Sequence, residues 1–160
     1  MYFTYNHIFF AIFGKNKLTT GNVGAILFDV SDPSPNFVGR HVQLKDLHEL
    51  IQRSANHSVT GMQPIVNIDN VTAITGLGGI GKTQLARRYI QVYREEYNNH
   101  IIWLNAETEV TLKHSFQRLA GHLNISTKNP DNLDKETRDI VQDVYAHFST
   151  AGCLFKTKKW

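Results

Sequence analysis

This chain has little cysteine and only a small excess of charge of one sign. Cys153 is the only cysteine in 160 residues, so no disulfide can form within the chain, and a reducing compartment is favoured. The 17 basic and 14 acidic residues give a formal net charge of +3, too small an excess to indicate a nucleic acid partner. The eight histidines are scattered without the spacing of a zinc site, and we interpret them as surface or packing residues.

The sequence also lacks a hydrophobic run long enough to span a bilayer, so we expect no membrane partner. A short apolar run at residues 8–13 has no basic residues before it, as a signal peptide would have. The run fits a buried strand or a short peripheral helix, and a segment that touches a membrane is a third alternative. With the single cysteine, these absences predict a cytoplasmic protein.

Strand and helix patterns alternate through the rest of the chain. Pro33 and Pro35 interrupt regular secondary structure after the first predicted strand and indicate a linker. Short β-branched or apolar runs predict strands, and apolar residues at helical spacing predict helices. The predicted strands are 26–29, 65–68, 71–75 and 101–104, and the helical stripes span 44–51, 85–93, 112–123 and 140–148. Such alternation is typical of an α/β fold with a parallel sheet and helical crossovers.

A glycine-rich loop carries the chemistry. The pattern GxxxxGK[ST] is matched in full by Gly76, Leu77, Gly78, Gly79, Ile80, Gly81, Lys82 and Thr83. A predicted strand precedes this loop and a predicted helix follows it, as a P-loop requires. The glycines let backbone N–H groups wrap an anion, and the helix start adds the positive end of its dipole.

Two side chains give this loop its predicted ligands. The Lys82 ammonium would contact the β- and γ-phosphates, and the Thr83 hydroxyl would be a ligand of Mg²⁺. The loop therefore predicts ADP or ATP with Mg²⁺ as the bound cofactor, with Gln84 among the binding residues. The alternative is a glycine-rich turn that binds nothing.

Three segments in this order resemble an NB-ARC domain, of the STAND class of P-loop NTPases. They are Asn-Phe-Val-Gly-Arg at 36–40, the loop and helix start at 76–86, and Ile-Trp-Leu-Asn-Ala-Glu at 102–107. The resemblance covers residues 36–150 and implies a three-layer P-loop NTPase fold. It also implies that Val38 and Arg40 lie against the adenine and that the domain is a signalling switch between ADP and ATP states. The alternative for Arg40 is a surface cap or ion pair.

The chain departs from the family in one respect. The family's Walker B strand, which ends in an acid, would begin near residues 153–155, but no Asp or Glu follows Asp143. We therefore expect a truncated domain whose hydrolysis is weak or absent, and leave open whether it is an enzyme. Residues 26–29 have the composition of that strand, so a rearranged strand ending in Asp29 is an alternative.

These expectations divide the chain into three parts. Residues 1–34 are a leader of unknown role that we expect to be partly disordered, residues 35–150 are an incomplete NB-ARC unit, and residues 151–160 are a basic tail. In the family's sheet the missing strand lies between the P-loop strand and the Trp103 strand, so both should have open edges. Three alternatives to simple nucleotide binding follow. The chain is an ATPase that borrows Asp29 or a partner's acid, an interaction fragment that pairs with other NB-ARC chains or a signalling partner, or a remnant without function.

Overall fold

The computed structural model describes residues 7–12, 25–54, 65–68, 71–74 and 77–150. The helices and strands in chain order are β1 (His7–Ile12), β2 (Leu27–Phe28), α1 (His41–Ser54), β3 (Ile65–Ile68), β4 (Val71–Ile74), α2 (Lys82–Tyr93), β5 (Ile101–Ala106), α3 (Glu109–His122) and α4 (Thr137–Thr150). A short 3₁₀ helix, Arg94–Tyr97, follows α2. The chain divides into two compact units, one of residues 1–30 with 95–160 and one of residues 31–94.

The first unit is built on a three-stranded sheet with β5 in the middle. Strand β1 pairs with β5 in antiparallel register, with His7 opposite Ala106 and Ile12 opposite Ile101. Strand β2 pairs with the other edge of β5 in parallel register, with Phe28 opposite Ile102. Both neighbours of β5 therefore come from the N-terminal leader.

Helices α3 and α4 cover this sheet with their apolar stripes. Buried side chains of β2 and the residue before it, and of β5, α3 and α4, form one hydrophobic cluster: Ile26, Phe28, Ile102, Leu104, Leu119, Ala120, Ile140, Val144 and Phe148. The burial of side chains of this size provides most of the stabilisation of such a layer. Two polar contacts fix the layer further, since the Asn105 N–H donates to Ser115 Oγ of α3 (3.1 Å) and the Ile26 N–H donates to Nδ1 of the buried His100 (3.3 Å).

An ion pair holds the end of β2 on α3. Arg118 donates two hydrogen bonds to Asp29, Nη1 to Oδ2 at 3.0 Å and Nη2 to Oδ1 at 2.9 Å. The guanidinium carbon also lies 5.6 Å from the centroid of the Phe28 ring. Asp29 has a φ of 54°, a left-handed conformation that Asp and Asn tolerate better than most residues.

The second unit joins a hairpin to two helices. Strands β3 and β4 pair in antiparallel register, with Ile65 opposite Ile74, and α1 contacts both strands and α2. At the seam between the helices, the His48 ring stacks on Tyr93 with centroids 4.0 Å apart. The His48 Nδ1 also lies 3.2 Å from the Tyr89 hydroxyl oxygen, within hydrogen-bonding distance.

The predicted strands and helices are confirmed at the described residues, and their content is α/β. The parallel sheet is present in the described residues as the β2–β5 pair alone. The predicted open edge of the Trp103 strand is wrong along the edge that pairs with β1 and, on the other edge, at Ile101 and Ile102, which pair with β2. The β3–β4 pair is antiparallel because a two-residue connection cannot join parallel strands. The apolar run at residues 8–13 forms a strand rather than a helix over residues 7–12.

Some expectations lie outside the described residues. The Asp69–Asn70 turn, Thr75 and the basic tail at 151–160 belong to this group. Among the described helices, none combines the length and apolar character needed to cross a membrane.

The Asp29–Arg118 pair supplies a test of how β2 is held. We expect Asp29→Asn, which keeps the left-handed preference but removes the charge, to lower the free energy of unfolding by about 0.5–1 kcal/mol. Arg118→Lys, which cannot donate two parallel hydrogen bonds, should cost a similar amount. Urea unfolding followed by circular dichroism measures both.

The double variant separates this pair from unrelated effects. If the two side chains act on each other, Asp29→Asn with Arg118→Lys costs less than the sum of the single variants. Lys45→Gln is the matched control, because the pair that Lys45 forms with Glu49 is long (3.9 Å) and exposed. Strictly additive losses would contradict the role of the ion pair.

Candidate functional site

The glycine-rich loop leads directly into helix α2. Gly79 and Gly81 have φ of 77° and 86°, a left-handed region in which a side chain is strained. Gly81 is the N-cap residue of α2, and its carbonyl accepts from the Leu85 N–H at 2.9 Å. Gly76, the first glycine of the predicted motif, lies outside the described residues.

The start of α2 differs from the start of α3. Helix α3 begins with Thr108, whose side chain accepts from the Thr111 N–H in a capping box, which satisfies donors that every helix leaves at its N-terminus. Helix α2 has no side-chain cap and no acidic residue in its first turn. The positive end of α2 is therefore not neutralised by side chains of its own first turn, which is the arrangement that suits an anion.

Lys82 and Thr83 lie in this first turn. Lys82 Nζ donates to the Leu77 carbonyl at 2.9 Å, so its ammonium folds back over the loop that it is predicted to serve. The Lys82 and Thr83 side chains are both half-buried, whereas Leu77 is 82% exposed. The Leu77 carbonyl, a neutral acceptor of the loop backbone, is thus one of the contacts that hold the lysine close to the loop.

A second segment, residues 34–40, approaches the same loop. The Phe37 N–H donates to the Ser34 carbonyl at 2.9 Å and closes a turn. Gly39 and Arg40 then have left-handed φ of 74° and 58°, and the Arg40 carbonyl accepts from the Leu44 N–H at the start of α1. A left-handed arginine is uncommon and indicates that the surrounding structure imposes this conformation.

Arg40 links this segment to the glycine-rich loop. Its Nη2 donates to the Ile80 carbonyl at 2.6 Å. A side chain at Gly81 would meet the guanidinium of Arg40 at 3.7 Å, so the arginine packs directly over that glycine. The described contact of Arg40 is therefore with the loop backbone, neither a helix cap by its side chain nor a surface ion pair.

Together the two segments line a shallow cavity of about 330 Å³ that is largely open to solvent. Its lining residues are Ser34, Asn36, Phe37, Val38, Arg40, Gly79, Ile80, Gly81 and Gln84. Among these described residues Arg40 carries the one charge and none is acidic, a composition that suits an anionic ligand. Val38 is 83% exposed, which leaves its apolar side chain open to contact.

The cavity gathers six of the predicted site residues: Val38, Arg40, Gly79, Ile80, Gly81 and Gln84. The loop residues Leu77 and Gly78 and the first-turn residues Lys82 and Thr83 do not line it, although they are continuous with it along the chain. Sequence reasoning missed Ser34, Asn36 and Phe37 as site residues. The adjacency of Asn36 and Phe37 to Val38 was a signal, but nothing in the sequence singles out Ser34.

Thr83 is the one residue that the sequence predicts as a metal ligand. Over the described part of the chain, no group of three or more His, Cys, Asp or Glu side chains is arranged to hold a metal ion. Asp29, the acid that the alternative interpretation would use, accepts hydrogen bonds from Arg118 on both carboxylate oxygens.

Comparisons with known proteins point to one group. No protein-family model matches the chain, and no solved structure gives a significant match. The chain is 32% identical over 101 residues to Disease resistance RPP8-like protein 3 of Arabidopsis thaliana, covering 53% of this chain and 11% of that protein. It is 28% identical over 127 residues to a probable disease resistance protein of the same plant, covering 77% of this chain and 12% of that protein.

The chain therefore spans about a tenth of the length of these curated relatives. The similarity is partial and of low identity, and it supports an NB-ARC-like relationship with plant disease resistance proteins.

Proposed function

We propose that the chain binds ADP or ATP at the cavity between residues 34–40 and the glycine-rich loop. The observation that carries this proposal is the cavity itself, which unites the Val-Gly-Arg segment with Gly79, Ile80, Gly81 and Gln84. Two segments about forty residues apart in the chain, each expected at a nucleotide for a different reason, line the same pocket.

The phosphates would lie at the loop and the start of α2. Gly79 and Gly81 give the loop the left-handed turns that direct backbone N–H groups toward an anion. Lys82 Nζ would exchange the neutral Leu77 carbonyl for a phosphate oxygen, and a charge-assisted hydrogen bond is stronger than a neutral one. The Thr83 hydroxyl would hold Mg²⁺, which would supply positive charge to offset the negative charge of the phosphates.

The base would lie against residues 36–38. The exposed side chain of Val38 offers an apolar surface at the rim of the cavity, and burying such a surface under an aromatic ring is favourable. The left-handed turn at Gly39 and Arg40 directs the chain away into α1 immediately afterwards, so this short wall presents its backbone groups as well as its side chains.

The proposed role is that of the nucleotide-binding part of an NB-ARC-type signalling switch in which hydrolysis is weak or absent. The similarity to disease resistance proteins supports a signalling role. The engagement of both Asp29 carboxylate oxygens by Arg118 weighs against Asp29 as a borrowed catalytic acid, since a carboxylate in an ion pair is a poorer ligand for Mg²⁺ or water.

Replacement of Lys82 tests the phosphate site. We expect ADP and ATP to raise the melting temperature of the wild-type chain, and Lys82→Ala to weaken binding by roughly ten- to a hundredfold, because a hydrogen bond to a charged group is lost. Isothermal titration gives the affinities and a thermal shift gives the stabilisation.

Lys113→Ala is the matched control, because Lys113 is an exposed lysine of α3 and its loss makes the same change in net charge. It should bind ADP as the wild-type chain does. Absence of binding or stabilisation of the wild-type chain at millimolar nucleotide would defeat the proposal, and so would equal affinities for Lys82→Ala and the wild-type chain.

Hydrolysis is tested separately from binding. With saturating ATP and Mg²⁺ we expect turnover on the order of 10⁻³ per second or slower, the range of a P-loop nucleotidase without its activating groups. Asp29→Asn should leave this rate unchanged while Thr83→Ala weakens the Mg²⁺-dependent part of ATP binding. Turnover near 1 per second that disappears in Asp29→Asn would instead support the ATPase alternative.

A further inference from the structure

Gln84 makes a contact that the glycine-rich motif does not require. Its side-chain Oε1 accepts a hydrogen bond of 2.7 Å from the backbone N–H of Ser34. The two residues are fifty positions apart in the chain, and Gln84 is the third residue of α2. The helix that begins at the phosphate loop is thus joined by a side chain to the beginning of the opposite wall.

Ser34 is the residue from which that wall is built. Its carbonyl accepts from the Phe37 N–H at 2.9 Å, and its Oγ accepts from the Asn36 N–H at 3.4 Å. Pro33 and Pro35 flank it and restrict the backbone on both sides. A hydrogen bond at Ser34 therefore fixes the position of the whole turn through Phe37.

The wall is then held at both of its ends. Gln84 holds Ser34 at the first end, and the Arg40 guanidinium holds the Ile80 carbonyl at the other. All four residues line the cavity. Between these ends the residues 36–38 form no strand pairing, so the two hydrogen bonds set the distance between the wall and the loop.

We propose that Gln84 is a positioning residue that holds the base-binding wall, residues 34–38, against the phosphate loop through its hydrogen bond to Ser34. This inference rests on the proposed function and assigns different roles in it to the loop backbone and to the Gln84 side chain. The backbone at the loop binds phosphate, and the Gln84 side chain acts on the base through the wall. The side chain should then matter for a nucleotide and not for its phosphates alone.

The test compares ADP with pyrophosphate by isothermal titration on the full chain. Gln84→Ala should weaken ADP binding by about three- to tenfold, the effect of one net hydrogen bond, while pyrophosphate affinity stays within about twofold. Gln91→Ala is the matched control, since Gln91 lies on the exposed side of α2 with Arg88 as its partner. It should change neither affinity.

Ser34 provides the complementary pair of variants. Ser34→Pro removes the N–H that donates to Gln84, whereas Ser34→Ala keeps it, so the loss of ADP affinity should be larger for proline. Ser34→Pro combined with Gln84→Ala should be no weaker than the worse of the two single variants, because both remove the same hydrogen bond. Melting curves of each variant without ligand show whether it is folded.

The outcomes separate this inference from the proposed function. If the wild-type chain binds pyrophosphate and ADP but Gln84→Ala binds both as the wild type does, the positioning role is wrong and the nucleotide site stands. Parallel losses of ADP and pyrophosphate affinity in Gln84→Ala would also overturn the positioning role, since they place the side chain at the phosphates. If the wild-type chain binds neither ligand, the proposed function itself fails.

Discussion

The hydrogen bond from the Arg40 guanidinium to the Ile80 carbonyl is the interaction on which the candidate site depends. It joins a segment that precedes α1 to a loop that precedes α2. Arg40 has a left-handed backbone, and its guanidinium packs over Gly81, where an added Cβ would lie in ordinary van der Waals contact with it at 3.7 Å. Together with the hydrogen bond between Gln84 and Ser34, this contact joins the wall to the loop on the two sides of the cavity.

The loop, the helix after it and the Val-Gly-Arg segment could be predicted because each has a local signature. The left-handed positions of the loop use glycine, and the buried face of α2 recurs at Leu85, Ala86, Tyr89 and Ile90. The Gln84–Ser34 and Arg40–Ile80 hydrogen bonds could not be predicted, because they join residues fifty and forty positions apart. Likewise, the apolar run at residues 8–13 fits a strand or a helix until its partner on β5 is known.

The strand pairing in the sheet of the first unit weakens the hypothesis that the chain is an interaction fragment. A strand with an open edge invites pairing with another chain, and this was the basis of the interaction hypothesis. Strand β5 is instead paired along one edge by β1, and β2 pairs with Ile101 and Ile102 on its other edge. Asp29, directly after β2, is the ion-pair partner of Arg118. Among the described residues, the features that point to a ligand lie in residues 34–40 and 77–84.

The most direct test of the central claim is a map of backbone amide shifts by nuclear magnetic resonance during titration with pyrophosphate and then with ADP. We predict that pyrophosphate shifts the amides of Gly79, Gly81, Lys82 and Thr83, and that ADP shifts these and additionally those of residues 36–40. The second set would show that one ligand contacts both walls of the cavity. Shifts confined to the loop with both ligands, or scattered over α3 and α4, would contradict a single nucleotide site.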